Sequence, residues 1–537
     1  MAQLLHADGR AVSSAEIAAA RRPSALAPGA GRASSYRGAS RASQELSLFH
    51  ARHTSADGAA RWERQILADR ARDLLRNDSL AATAIRKSTA MGVGGGWMLQ
   101  ARPDAYGLGI DPDQARELGT QIERAFALWS TDPRRLCHAA RRHDFGGILR
   151  TLWGEWKGVG ECLALMIWRE FGHVGGAYAT GVQEIDTDRL GNPYGQTDSQ
   201  SLRDGIEKDA YGADVAYHIR EAHPGDLRPD ARAMSWQRVP RETPYGRPVA
   251  IYAARQSRAE QNRGITLLAP LVEKFAMRGK MERTELQSAL LNAVFAAFVK
   301  SGFDPAATAE MLGLPSVDSV TQGFQDVRAG FYEQHPVVME GITVPILMPG
   351  DEVQTNTAGR QASSFGQFTK IVSQSIAAHL GVAEGQITGD YGGLNFSTLR
   401  GAYNEIWADI AIERADFGAQ VVRPIYLCVL DEAIRRGDVV PPPGCADLFD
   451  APAAWCQSNW IGPARAHIDP EKEAKGDALR LATGVTTRTA IAAGHGMDFE
   501  EVARTRAEEA ELLERYGQTD DVPAAVLSPS NPDPRGT

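Results

Sequence analysis

The sequence predicts an α+β protein. Three features lead to that reading: short alternating strands and turns between Val182 and Tyr252, a long helix over Pro270 to Lys300, and a helix, glycine-marked loop and longer helix from Phe365 to Arg435. A chain of 537 residues has room for about two to four core-bearing regions, and its apolar and charged fractions, 43% and 23%, are those of an ordinary folded protein.

Residues 1–60 are rich in Ala, Ser, Gly and Arg and carry few large apolar groups. Such a segment buries too little surface to offset its chain entropy, so a flexible arm is expected, with nucleic-acid or partner binding as the alternative. From Trp62 to Met91 the spacing of Ile66, Leu67, Leu74, Leu75, Ala82 and Ile85 predicts a helix. It runs into Gly92, Gly94, Gly95 and Gly96, a cluster that follows a helix and lacks a Gly-Lys-Ser/Thr ending. A phosphate-cradling loop needs both a preceding strand and that ending, so this is read as a turn into a strand at Trp97–Ala101. Helices are predicted over Asp113–Trp129 and Phe145–Trp156, then a buried strand over Glu161–Arg169.

In the module from Val182 to Tyr252, Val215, Tyr217 and Ile219 alternate with Ala216, His218 and Arg220, as in a half-buried strand. Asp186, Asp188, Asp204 and Glu207 could form a metal site, but no His or Cys stands at ligand spacing beside them, so solvated turns are expected.

The helix over Pro270–Lys300, extending back to about Leu267, would span about 45–50 Å at roughly 1.5 Å per residue. Its first half mixes charges, whereas its second half is small or apolar on all sides (Leu290, Leu291, Val294, Phe295, Phe298). A helix with that second half requires neighbours on several sides, in an interior or between subunits. Residues 301–358 form an irregular insertion with a β-like segment at Pro336–Met348. Phe365, Phe368, Val372, Ile376 and Leu380 then recur at helical spacing up to Gly381, which can end the helix. The loop ITGDYGGLNFSTLR, Ile387–Arg400, follows, with Asn395 or Ser397 able to cap the next helix. That helix resumes at Leu399 and continues to about Arg435, with Pro424 as a kink. These residues alone leave a helix-loop-helix surface corner open. Pro441–Pro443 is a hinge, Pro470–Gly517 is charged and helical, and the proline-rich last twenty residues are expected to be disordered.

No GxSxG elbow, HExxH helix, paired CxxC knuckles or Walker loop occurs, so no catalytic residue, cofactor site or metal site is assigned. Cys445, Cys456 and His467 match no common zinc spacing, and His379 has no nucleophile at a patterned distance. The longest apolar run, Leu286–Val299, falls short of the roughly 18 residues of a membrane span. With no secretory-type N-terminus and apolar settings for Cys137, Cys162 and Cys428, a cytoplasmic protein with reduced thiols is expected. A net charge of −9 argues against a tight nucleic-acid binder but not against one that lets DNA slide past.

Several segments together resemble the portal proteins of tailed bacteriophages of the lambda-like type. They are RARDLLRNDSLAATAIRKSTAMGVGGGW (Arg70–Trp97), EIDTDRL (Glu184–Leu190), DGIEKDAYGADVAYHI (Asp204–Ile219), RAEQNRGITLLAPL (Arg258–Leu271), HLGVAEGQITGDYGGLNFSTLRGA (His379–Ala402), and IDPEKEAKG with GVTTRTAIAAGHGMDFEEV (Ile468–Val502). They lie in the family's order over most of the chain from about 60 to 515. The segment AEQNRG departs from the pattern, since a Gly is expected next to the Gln, which leaves the local turn open.

The resemblance implies a portal fold: an α/β wing, long stem helices, a small α/β clip and a helical crown, assembled as a ring. Carried over in order, residues 1–60 are a flexible arm, 61–266 the wing, 267–300 the first stem helix and 301–358 the clip. The second stem helix is 359–384, the tunnel loop 385–396, the long wing helix 397–440, the crown 441–517 and a disordered tail 518–537. Portals of this kind are dodecameric rings that replace a capsid pentamer at one vertex and pass double-stranded DNA through a central channel. The implied partners are further copies of the chain, the major capsid protein and scaffold, the terminase large subunit, head-tail connector proteins and the DNA itself, with no membrane. The implied location is the virion, with assembly in the host cytoplasm. Asp390, Tyr391, Gly392, Gly393 and Asn395 are the implied channel-loop residues. Tyr391 and Asn395 are expected to touch DNA while Asp390 limits how tightly, and Leu290, Leu291, Val294, Phe295 and Phe298 are expected to pack the stem between subunits. A capsid-associated or scaffolding protein without a channel is the competing reading.

Overall fold

The structure, a computed structural model, describes residues 46, 48–169, 178–226, 231–295, 336–339, 342–345, 362–392, 396–465 and 469–518. The chain divides into two units, Met1–Ser55 and Ala56–Thr537. In the first, the Phe49 amide donates to the Leu46 carbonyl at 3.0 Å. All that follows concerns the second.

The helix expected over Trp62–Met91 is two helices, α1 (Arg64–Asn77) and α2 (Ser79–Gly92). Asp78 separates them in extended conformation, and its carboxylate accepts the Leu80 and Ala81 amides, so a strong N-cap inside the apolar periodicity broke the run. After the glycine cluster, β1 (Met98–Ala101) leads to α3 (Pro112–Ser130), which opens on a capping box built by Asp111 and Gln114. Next come α4 (Phe145–Gly158), β2 (Glu161–Trp168) and β3 (Thr180–Ile185).

A small sheet follows, β4 (Leu202–Arg203), β5 (Ile206–Lys208), β6 (Asp214–Arg220) and β7 (Trp236–Pro240), paired in that order, and β8 (Ala250–Ala254) returns to pair antiparallel with β2. β2 is thus the centre of a β3-β2-β8 sheet. Its residues alternate between two cores, as the strand pleat dictates. Cys162, Ala164 and Met166 join Trp129, Trp153 and Trp156, while Leu163 joins Ile206, Tyr217, Ile219 and Val239 of the four-stranded sheet.

A long helix α5 (Val272–Phe295) precedes a hairpin of β9 (Pro336–Met339) and β10 (Ile342–Pro345). Then come α6 (Ala362–Leu380), a single turn α7 (Glu384–Thr388) and α8 (Phe396–Phe417). Pro424 does not end the long helix. A π-helical turn, Gly418–Val422, precedes it, and α9 (Arg423–Arg436) continues with the proline at its start. The wider turn relieves the clash a proline ring makes with the carbonyl four residues back. β11 (Ser458–Ile461) pairs antiparallel with β1, and α10 (Pro470–Ala482), α11 (Arg488–Gly494) and α12 (Phe499–Arg515) complete the chain.

Among the described residues no helix is long and apolar enough to cross a membrane. α1, α2, the start of α5, the end of α6 and α7 share a further core through Ala71, Ala84, Leu268, Phe275, Ile376 and Ile387. The loop predicted to carry function therefore hangs from this core on one side and from α8 on the other.

Candidate functional site

The frame behind the loop is fixed by ionic contacts from α8. Glu413 accepts from Lys157 of α4 at 2.6 Å and from Arg255, just past β8, at 3.0 Å. Lys157 is only 3% exposed. Burial lowers its pKa, and the Glu413 carboxylate opposes that shift. One residue on, the Arg414 Nε donates to the Gly92 carbonyl at 3.0 Å, and its Nη2 donates to the carbonyls of Met91 and Pro463. A cation thus meets the carbonyl end of α2, where the helix dipole favours it. Burial lowers the Arg414 pKa to about 10. Further along, the Glu432 carboxylate of α9 accepts the Ala179 and Thr180 amides at 2.6 and 2.8 Å and so satisfies the backbone at the start of β3. The long helix is therefore tied to both the sheet and the neighbouring helices.

At the loop itself, Gly381 takes φ +65° and ends α6, and Gln386 Oε1 caps the start of α7 by accepting the Ala383 amide at 3.0 Å. Ile387 is buried and anchors α7 in the shared core. Gly389, at φ +75°, reverses the chain. The Asp390 amide then donates to Thr388 Oγ1 at 3.2 Å, and Asp390 Oδ1 accepts the Gly392 amide at 2.8 Å. Asp390 Oδ2 lies 3.8 Å from Lys370 Nζ of α6, with both side chains about half exposed. Tyr391 is 47% exposed, and partial burial together with the neighbouring Tyr403 of α8 raises its pKa.

Of the predicted loop residues, Asp390, Tyr391 and Gly392 are therefore together in one turn, while Gly393 and Asn395 lie outside the described residues. The stretch 385–396 is not all loop, because α7 occupies its start and α8 its end. Of the predicted stem residues, Leu290, Leu291, Val294 and Phe295 lie in α5, and Phe298 lies outside the described residues. Sequence reasoning counted Gly385 only as the start of the loop, and it missed Lys370 and Tyr403, which stand beside Asp390 and Tyr391. A polar-face lysine and a helical tyrosine give no spacing signal for a partner so far along the chain.

The metal question changes in one respect. Asp186 and Asp188 do meet a histidine, His223, with its Nε2 3.6 Å from an oxygen of each. Folding brought it there, which spacing along the chain could not show. However, Arg72 already pairs with Asp188 at 2.6 Å and Asp186 at 3.1 Å. His223 Nδ1 accepts the Gly225 amide at 3.0 Å, which puts the ring proton on Nε2, where a metal would need a lone pair. This donor set fits an ion-pair cluster and not a metal site.

A cleft of about 880 Å³ beside β8 is lined by residues that include Lys208, Asp214, Tyr252, Arg255 and Glu413, and two ion pairs, Lys208–Asp214 and Arg255–Glu413, lie on its wall. His379 at its margin donates from Nε2 to the Leu267 carbonyl at 3.0 Å.

Two larger sheets, long helices meeting at a tethered turn and a helical C-terminal region make up the described fold, and the sequence that builds it is that of a phage portal protein, a structural head-tail connector. The chain belongs to the lambda family of phage portal proteins, whose family model matches residues 42–414. It is similar to the portal protein of Escherichia phage N15 and to portal protein B of Escherichia phage lambda, each 29% identical over 437 residues and covering 81% of both chains. It is also similar to the probable portal protein of Halomonas phage phiHAP-1, at 22% over 416 residues, covering 74% of this chain and 71% of that one. Among solved structures, a chain from the neck of an empty gene transfer agent particle aligns with a TM-score of 0.37 at 12% identity, over 80% of this chain and 93% of the other. A chain from the virion of a native gene transfer agent particle aligns with a TM-score of 0.34 at 10% identity, over 80% and 93%.

The family pattern also explains a turn that the sequence left open. Glu260, beside Gln261, has φ +63°, a conformation that glycine adopts without strain. Gln261 is buried and holds the turn by accepting the Ser257 amide at 2.9 Å and donating to the Arg263 carbonyl at 2.8 Å. The position where the family resemblance expects Gly is thus one whose backbone suits it.

Proposed function

We propose that copies of this chain close into a ring, a dodecamer by family analogy, at one vertex of the capsid, and that double-stranded DNA enters and leaves through its centre. Residues from Asp390 to Asn395 line the channel, with α8 behind them. The observation that carries this reading is the family match, which runs through α6, the loop and α8 up to residue 414. The charge balance supports it. A channel wall that neutralised many phosphates would hold DNA by counterion release, whereas a chain of net charge −9 lets it pass.

The same reading gives the ring its partners, which are the capsid protein and scaffold, the terminase large subunit and the head-tail connector proteins, and gives it the virion as its final location, after assembly in the host cytoplasm. Leu290, Leu291, Val294, Phe295 and Phe298 pack the stem between identical neighbours, each subunit offering different faces to its two partners.

Deleting Gly392–Leu394 tests the loop assignment. The expected result is intact rings with reduced DNA packaging or retention in a packaging assay. Normal packaging by that variant would remove the loop from the channel.

A further inference from the structure

Gly385 stands in the first turn of α7 with an ordinary helical backbone, since it is absent from the positive-φ glycines among the described residues. Alanine would form that helix better, so the backbone does not explain the glycine. Its surroundings do. A Cβ at this position would lie 2.7 Å from Tyr391 Cε1, 2.8 Å from Tyr391 Cδ1 and 3.1 Å from the Asp390 carbonyl oxygen. The reversal at Gly389 folds the chain back so that the tyrosine ring rests on the bare Cα of Gly385.

On its other side Tyr391 interacts electrostatically with Tyr403, which belongs to α8 on the far side of the loop. One side chain therefore reaches from the entry turn toward the exit helix. α7 cannot follow the ring if it moves, because Ile387 is buried in the core shared with α2 and α6.

We propose that Gly385 and Tyr403 form a seat for Tyr391, and that this seat fixes the base of the channel loop. Gly385 and Tyr403 are positioning residues, and Tyr391 serves first as the loop's anchor. The Lys370–Asp390 pair is an exposed contact and contributes little to the seat. The inference rests on the channel reading for its purpose, but the seat itself can be tested without DNA.

Chymotrypsin cleavage after Tyr391 in the assembled full-length protein measures how firmly the ring is held. Gly385→Ala fills the space under the ring and at the same time favours α7, so the variant is expected to fold at least as well as the parent. Cleavage after Tyr391 should accelerate about tenfold in Gly385→Ala, and about fivefold in Tyr403→Phe, which removes the hydroxyl that interacts with Tyr391. Gly366→Ala, where a Cβ meets nothing within 4 Å, is the control for helix propensity and should leave the rate unchanged. Rates in Gly385→Ala and Tyr403→Phe equal to the parent's would overturn the seat, whatever the DNA assay shows. Faster cleavage with reduced DNA retention supports both the seat and the channel reading. Faster cleavage with unchanged retention keeps the seat and contradicts the channel reading.

Discussion

Arg263 grips Glu161 with two hydrogen bonds, Nη2 to Oε1 at 2.6 Å and Nε to Oε2 at 2.9 Å. Both side chains are buried, at the point where β2 begins and the segment leading to α5 passes beside it. Arg64 of α1 adds a contact at 3.4 Å, and the Tyr252 hydroxyl and Gly264 amide complete the carboxylate's shell at 2.6 and 2.9 Å. α1, β8 and the segment leading to α5 thus meet on one carboxylate of β2. Burial alone would raise the Glu161 pKa, but Arg263 and Arg64 outweigh it and hold the value at about 2.

That relationship predicts an acid limb. A carboxylate depressed from 4.5 to about 2 stabilises the fold above the unfolded value and loses that contribution as pH falls from about 4.5 to 2. The shift corresponds to about 3 kcal/mol. Removing the carboxylate charge with Glu161→Gln should flatten this limb and destabilise the protein at pH 7 by about 3–5 kcal/mol, because Arg263 is left buried without its anion. Denaturant unfolding across pH checks it, and an unchanged acid limb would contradict it.

Glu155 should act with the opposite sign. Burial, with Asp186 adding to it and Arg72 opposing, pushes its pKa up to about 8. A raised carboxyl gives stability that is complete below the unfolded value and is lost as pH climbs from about 4.5 to 8. Glu155→Gln should therefore match the parent near pH 5 and exceed it in melting temperature near pH 9. Equal melting temperatures at pH 9 would count against a buried, protonated Glu155.

The link between α4 and α8 should be costly to break from one side only. Glu413→Gln leaves Lys157 buried beside a neutral partner and is expected to lose about 3 kcal/mol. Adding Lys157→Met should recover most of that loss, which a double-mutant cycle by denaturant unfolding would measure.

Glu260→Gly should stabilise the turn by up to about 1 kcal/mol, because it relieves a side chain held in the left-handed region. Calorimetry is sufficient to see the gain. A loss of stability would mean that the Glu260 side chain makes a compensating contact.

Much of this fold was legible in the sequence. The helices over Pro112–Ser130 and Phe145–Gly158, the strand at Glu161 and the end of α6 at Gly381 follow from apolar spacing and helix-end residues within a few positions. The break at Asp78 and the π turn before Pro424 were not legible, because each depends on a competition that periodicity does not record: a side-chain cap against an apolar stripe, and a wider turn against a proline ring. For the site, composition marked the glycine-rich loop and resemblance gave it a place. The neighbours of its turn did not show, because Lys370 and Tyr403 belong to two other helices. His223 escaped for the same reason, standing far along the chain from Asp186 and Asp188.

Electron microscopy of the purified full-length protein tests the central claim most directly. A portal predicts closed rings of identical subunits around an open central hole wide enough for a DNA duplex. Shells, filaments or compact dimers without a hole would contradict it.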